Sequence, residues 1–198
     1  MSEVKPSEGL RARKQRETRS RISEAGLQLF LTNGFDATTL DMIAAAADIS
    51  RRSFFHYFDS KEAVLLAWET EVEVLFKTAI AEQPDRATPL ALVRAALADV
   101  ISHYETKQAR AINDFMLSTE SLRTRKQAGY ERLERVIYSA LVERWPAPAR
   151  QGALRLVAMA AIGALRLAVE KMNHDEFRQP VSHYLDDAFA TLMTELTA

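Results

Sequence analysis

The chain has no cysteine, few breakers and almost no net charge: six glycines, six prolines and a formal charge of −1 in 198 residues. Each absence excludes something. Without cysteine there is no disulfide framework, no thiolate metal site, no cysteine nucleophile and no thiol-based sensing. That suits a reducing compartment. The prolines (Pro6, Pro84, Pro89, Pro146, Pro148, Pro180) leave long uninterrupted runs. Alternating apolar and polar runs bounded by glycine or asparagine, the mark of strands, are missing. The first 20 residues lack the apolar centre of a signal peptide, so a cytoplasmic location is expected. Patterns of the GxSxG, GxGxxG, P-loop and HExxH types are absent, so no enzyme and no cofactor are expected. His103, His174 and His183 do not combine with carboxylates at metal-ligand spacing, so no metal is expected either.

What is present is apolar content arranged with helical period. Hydrophobic residues make up 47% of the chain, enough for a real core. Ile22, Ala25, Leu29 and Phe30 fall at i, i+3, i+7, i+8; Leu92, Ala95, Ala96, Val100 and Tyr104 repeat the pattern, as do Leu133, Val136, Ile137, Ala140 and Leu141. An all-α protein of about nine helices follows. The longest apolar stretch, Gly152 to Val169, contains Arg155 and Arg166. Each arginine costs roughly 2.5–3.5 kcal/mol inside a bilayer, so a buried or interface helix is expected there and no membrane span.

The first helix is expected to begin between Leu10 and Arg16 and to stop near Asn33. Gly34 supplies the left-handed C′ residue, and Phe35 packs on Phe30 in a Schellman stop. Two very short helices follow. Thr39 caps Leu40–Ala47, Asp48-Ile49-Ser50 forms a tight junction, and Ser50 caps Arg51–Tyr57. Asp59 and Glu62 read as a capping box for a long helix from Lys61 to Ala81. Further helices are expected at about 89–106, 108–118, 121–144, 150–172 and 178–196.

Two short helices with a tight turn, behind a longer amphipathic helix, describe a helix-turn-helix over 39–58. A recognition helix enters the major groove by its N-terminal part, where Ser50, Arg51, Arg52 and Ser53 stand. Arginine can give two hydrogen bonds to a guanine edge. Phe55, His56 and Tyr57 come next. Thr39, His56, Tyr57 and Lys61 are placed to hold phosphates. Residues 10–21 hold six basic side chains against Glu17 alone. Arg13 and Lys14 in this segment are expected to reach DNA as part of a flexible basic arm, residues 1–15.

Residues Glu17 to Leu66 resemble the DNA-binding domain of tetracycline-repressor-like (TetR) transcriptional regulators. The resemblance lies in Phe30, Gly34-Phe35, Thr38-Thr39, Ile43-Ala44, Ala47-Asp48-Ile49-Ser50, Phe55-His56-Tyr57-Phe58, Lys61-Glu62 and Leu65. It implies a homodimeric repressor on a palindromic operator, with a C-terminal domain that binds a small hydrophobic effector. It assigns DNA contact to Thr39, Arg51, Arg52, Ser53, His56, Tyr57 and Lys61. Two residues depart from the family pattern. Asp48 stands where glycine is usual, and aspartate tolerates the left-handed region. Phe55 stands where tyrosine is common, which removes one hydroxyl.

The DNA-binding domain is expected over 16–76 and the effector and dimerisation domain over 77–198. Trp68, Phe76, Tyr104, Phe115, Met116, Tyr138 and Met159 are candidate pocket residues, with core filling as the competing role. Arg110 to Tyr138 faintly resembles family members that answer to acyl-CoA thioesters. Arg110, Arg123, Arg125 and Lys126 would then face effector phosphates, or simply form a solvated face. The helices near 150–172 and 178–196 are expected to form the dimer interface through Gly152, Ala153, Ala160, Gly163 and Ala164. A bundle that binds only proteins is the competing class. Paired arginines on an exposed short helix argue against it. The charge near zero is an average: residues 1–61 sum to +2 and residues 62–198 to −3.

Overall fold

The computed structural model describes residues 10–84, 88–102 and 106–197, the side chains of Thr106, Leu196 and Thr197 excepted. Among them the regular structure is helical, with nine α-helices and one 3-10 turn. The chain divides into two compact units, Met1–Glu71 and Val72–Ala198. The division stands five residues before the boundary expected after residue 76.

In the first unit, α1 spans Leu10–Asn33, α2 Leu40–Ala46 and α3 Arg51–Phe54, and α4 (Lys61–Glu82) begins. Helix α1 starts at Leu10, the near end of the expected range, so residues 10–15, assigned above to the basic arm, are helical. The reason is local: the segment is made of strong helix formers without glycine or proline. The Arg13 and Glu17 side chains pair one turn apart at 2.8 Å. Ile22, Leu27 and Phe30 of α1 are buried with Ile43, Ala44, Phe54, Phe58, Val64 and Leu65. Gly26 lets α1 approach α4 closely, since a Cβ there would lie 2.5 Å from Val64 Cγ1.

The turns explain the rest of this unit. Gly34 sits at φ 83°, and its N–H reaches Phe30 O at 3.0 Å. That single bond is the αL stop, in place of the expected Schellman pair. The Phe30–Phe35 ring contact is present at 5.0 Å. The Schellman pair appears instead at the end of α2. Asp48 is at φ 53°; its N–H bonds Ala45 O (3.1 Å), and Ile49 N–H bonds Ala44 O (3.0 Å). Thr39 and Ser50 cap α2 and α3 as expected, accepting from Met42 N–H and Ser53 N–H. Helix α3 ends at Phe54, three residues short of expectation. Aromatic side chains lose χ1 freedom in a helix. Winding continues through the tighter bonds from His56 N–H to Ser53 O and from Tyr57 N–H to Phe54 O, and Phe58 N–H closes on Phe54 O at 3.0 Å. For α4 the cap is Ser60, whose Oγ accepts from Ala63 N–H at 3.2 Å. The expected Asp59–Glu62 box fails because Glu62 lies one position too early.

The second unit holds the rest of α4, then α5 (Pro89–Ser102), α6 (Thr106–Leu117), α7 (Glu120–Arg144), a 3-10 turn (Pro148–Arg150), α8 (Gln151–His174) and α9 (Val181–Thr197). Its core joins Leu92, Val93, Leu97, Ile137, Leu141, Leu154, Ala158, Leu185 and Phe189. Helix α8 lies against α5, α7 and α9. Arg144 closes the C-terminus of α4, giving hydrogen bonds to Ile80 O (3.2 Å) and Gln83 O (2.6 Å). These are carbonyls that a helix end otherwise leaves orphaned. Pro148–His174 is long and apolar enough to cross a membrane by length and composition alone. Its buried face of Leu154, Ala158, Ala161, Ile162 and Leu165 is what a core helix needs.

Candidate nucleic-acid interface

The first unit presents a small polar surface around the start of α3. Ser50 holds that start in place: its Oγ accepts from Ser53 N–H at 3.1 Å and shares a 2.9 Å hydrogen bond with Ser53 Oγ. The two serines therefore partly satisfy each other. Arg51 and Arg52 occupy the first turn, both exposed. Their surroundings differ. Arg51 Nη1 donates to Asp41 Oδ2 at 2.6 Å, and its guanidinium lies 5.8 Å from the Phe55 ring centre. Asp41 thus holds Arg51 from α2, through a solvated pair of modest strength. Arg52 makes no hydrogen bond or ion pair among the described residues. Phe55 is 46% exposed and His56 is exposed, while Phe54 and Phe58 go into the core. Tyr57 is half-buried.

Thr39 is exposed at the start of α2, with its hydroxyl turned to its own helix at Met42 N–H. Arg13 and Lys14 are exposed on α1. Lys61 departs from expectation. Its ammonium donates to Phe35 O (2.7 Å), Asp36 O (3.3 Å) and Thr38 O (3.4 Å), and it lies 4.5 Å from the Phe35 ring centre. All three N–H donors face carbonyls of the loop before α2. Lys61 thus holds the loop in place. Lys61→Met should lower the unfolding free energy by about 1–3 kcal/mol, since acceptors of a charged donor lose their partner. Urea titration followed by circular dichroism measures it; an unchanged midpoint would contradict the role.

Sequence reasoning missed Arg19. Its Nη1 donates to Tyr57 O at 2.7 Å, and its guanidinium stacks 4.2 Å from the Phe58 ring centre. It ties α1 to the end of the recognition segment. Nothing in the local sequence separates it from its basic neighbours, because the contact spans 38 residues. Next to it, the Ser20 hydroxyl reaches Glu71 Oε2 at 3.5 Å. Burial pushes the Glu71 carboxyl above its usual range, against the opposing pull of that hydrogen bond.

The candidate pocket residues do not come together. Tyr104 lies outside the described residues. Trp68 is half-buried in the first unit. Phe76 is buried in the core of the second unit, and Tyr138 packs on that core under Arg155. Phe115 and Met116 are buried on α6. Met159 is 49% exposed on α8, so it faces outward and not into a cavity. The second unit does hold a cleft of about 310 Å³, lined from Leu117 to Tyr130 on α6–α7 and from Arg166 to Asn173 on α8. None of the six described candidates lines it. Aromatic and methionine residues at helical spacing mostly filled the core, as their size demands.

Residues 22–68 match the bacterial regulatory proteins of the tetR family, and residues 82–197 match the MftR C-terminal domain. The transcriptional regulator TcmR of Streptomyces glaucescens is 32% identical over 105 residues, 53% of this chain and 46% of its own. The chain therefore aligns with about half the length of that relative. Two solved structures share the fold. SmeT of Stenotrophomonas maltophilia, in complex with triclosan, gives a TM-score of 0.60 at 21% identity, covering 88% of this chain and 91% of its own. FadR of Thermus thermophilus, in complex with lauroyl-CoA, gives 0.51 at 24% identity, covering 88% and 93%.

Proposed function

Because the chain belongs to the tetR family of bacterial regulatory proteins, we propose that it is a ligand-responsive DNA-binding repressor. It acts in the cytoplasm as a homodimer and catalyses no reaction. The observation that carries this reading is the start of α3: a serine-capped turn, fixed by the Asp48 Schellman bonds, that sets Arg51 and Arg52 on an exposed surface. Ser53, Phe55, His56 and Tyr57 complete the reading surface. Arg13, Lys14 and the Thr39 end of α2 reach the flanking phosphates.

The test is fluorescence anisotropy with the chain's own upstream DNA at several salt concentrations. Phosphate contacts make affinity fall steeply with salt. Binding that is absent or indifferent to salt would refute the reading. The two arginines should separate. Arg52→Ala should cost about 1–3 kcal/mol at one base position, as expected of a bidentate contact to guanine. Arg51→Ala should behave alike but lose less, because Arg51 gives up Asp41 on reaching DNA. An equal loss on every sequence would reduce either residue to a phosphate contact.

The dimer forms through the exposed face of α8, with α9 beside it. Gly152, Leu156, Met159, Gly163 and Leu167 recur there at spacings of three and four, and a Cβ at either glycine would meet nothing within 4 Å. A twofold pairing through it sets two recognition helices about 34–36 Å apart, one turn of DNA. The effector is a small amphipathic molecule bound in the second unit. Acyl-CoA thioesters are among those to assay, since a fold neighbour holds lauroyl-CoA. Effector binding shifts α4, which begins at Lys61 and runs on into the second unit, and the dimer leaves its operator.

A further inference from the structure

The cleft in the second unit carries one positive charge more than its own residues balance. Arg123, Lys126 and Arg166 line it against Glu120 and Glu170. Arg123 is already satisfied: Nε and Nη2 donate to Glu120 Oε2 (3.2 and 2.8 Å) and Nη1 to Leu117 O (2.8 Å). Arg166 stands 5.6 Å from the Tyr130 ring centre, one turn before Glu170 on α8. Lys126 is different. Its ammonium donates to a neutral amide, Asn113 Oδ1, at 2.7 Å, and Asn113 is buried. Asn113 Nδ2 passes the bond on to Asn173 Oδ1 at 2.8 Å. The Asn113–Asn173 bridge fixes the lysine at the wall of the cleft and adds no counter-charge. Asp114 acts on Lys126 through space, but Arg110 pairs with it at 3.7 Å. A half-buried ammonium held by amides wants an anion.

We propose that this cleft binds a small organic monoanion by its carboxylate, with Lys126 as the charge partner. The inference deepens the effector reading and rests on it. A net charge of one favours a carboxylate over a phosphate dianion. At roughly 30 Å³ of liquid volume per water-sized group, the cleft holds about ten non-hydrogen atoms. Leu117 and Val169 give the ligand body apolar contact. Burial also bears on the two titrating groups. It lowers the Lys126 ammonium, with Asp114 opposing, and pushes the Tyr130 hydroxyl up to about 12, so that Tyr130 stays a neutral donor. A bound carboxylate favours the charged lysine. Above neutral pH, binding therefore takes up protons.

The test is isothermal titration of the full chain with octanoate, 1-octanol and octyl phosphate. Octanoate should bind about tenfold or more tighter than 1-octanol. Lys126→Met should weaken octanoate by about 10- to 100-fold and leave 1-octanol unchanged, while Lys126→Arg keeps most of the affinity. At about pH 9, titration in buffers of different ionisation enthalpy should show proton uptake in the wild type and none in Lys126→Met. Equal affinity for octanoate and 1-octanol, tighter binding of octyl phosphate, or an unaffected Lys126→Met would overturn the proposal. The same preparations are assayed on operator DNA. Octanoate binding without DNA binding leaves the cleft standing and removes the regulatory reading. DNA binding without octanoate binding does the reverse.

Discussion

Phe54→Ala should cost the DNA-binding unit about 3–5 kcal/mol, the range for deleting a fully buried aromatic ring. The Phe54 side chain is 0% exposed, and its ring centre lies 5.9 Å from that of Phe58 and 5.8 Å from that of Phe55. Helix α3 has only four residues. A helix so short does not hold itself together, and this ring is what seats it. Total stabilities of domains are about 5–15 kcal/mol, so the loss is a large share. Urea unfolding followed by circular dichroism measures it. A loss below about 1 kcal/mol would show that the ring does not anchor α3. The neighbouring Phe55→Ala is the contrast: its ring is half in solvent, so stability should stay nearly level while DNA affinity falls. Operator binding by Phe54→Ala should recover on adding an osmolyte that favours the folded state. Binding by Arg52→Ala should not.

Met159→Asp should break the proposed dimer. Leu156, Met159 and Leu167 are 66%, 49% and 37% exposed on one side of α8. A twofold contact buries the substituted position twice. Each unpaired carboxylate costs several kcal/mol to bury, so the dimer dissociation constant should rise by about a thousandfold or more. Sedimentation velocity across a dilution series reads the change directly. Circular dichroism should stay helical, because an exposed methionine contributes little to the core of its own chain. Operator affinity should fall with the dimer, since each half-site is then bound alone. A variant that stays dimeric would place the interface elsewhere.

Local chemistry made part of this structure readable in the sequence. Thr39 and Ser50 cap because a hydroxyl before a helix reaches the N–H groups that the first turn leaves free. Gly34 and Asp48 turn left-handed because few other residues do so cheaply. Each of these depends on a few neighbours. Lys61, Arg19 and Arg144 could not be read in this way, since their acceptors lie 26, 38 and about 60 residues away. A basic side chain near a DNA-binding motif looks the same whether it faces phosphate or a backbone carbonyl. The cleft was legible in part: Arg123 and Lys126, which line it, stood among the basic residues considered for an effector, while Asn173 did not, and most of the aromatic candidates packed in the core. Described helix ends differ from expectation by up to three residues, and α4 begins at Lys61 as expected although Ser60 and not Asp59 caps it.

The division between the two units falls in the middle of α4, with eleven residues on either side. Helices shorter than about 12–15 residues are marginal in water on their own. Neither half of α4 therefore persists unless something packs on it, and each unit lends its half the continuation that it lacks. Helix α4 crosses the division without a loop, so loss of packing in either unit should fray the adjoining half of this helix.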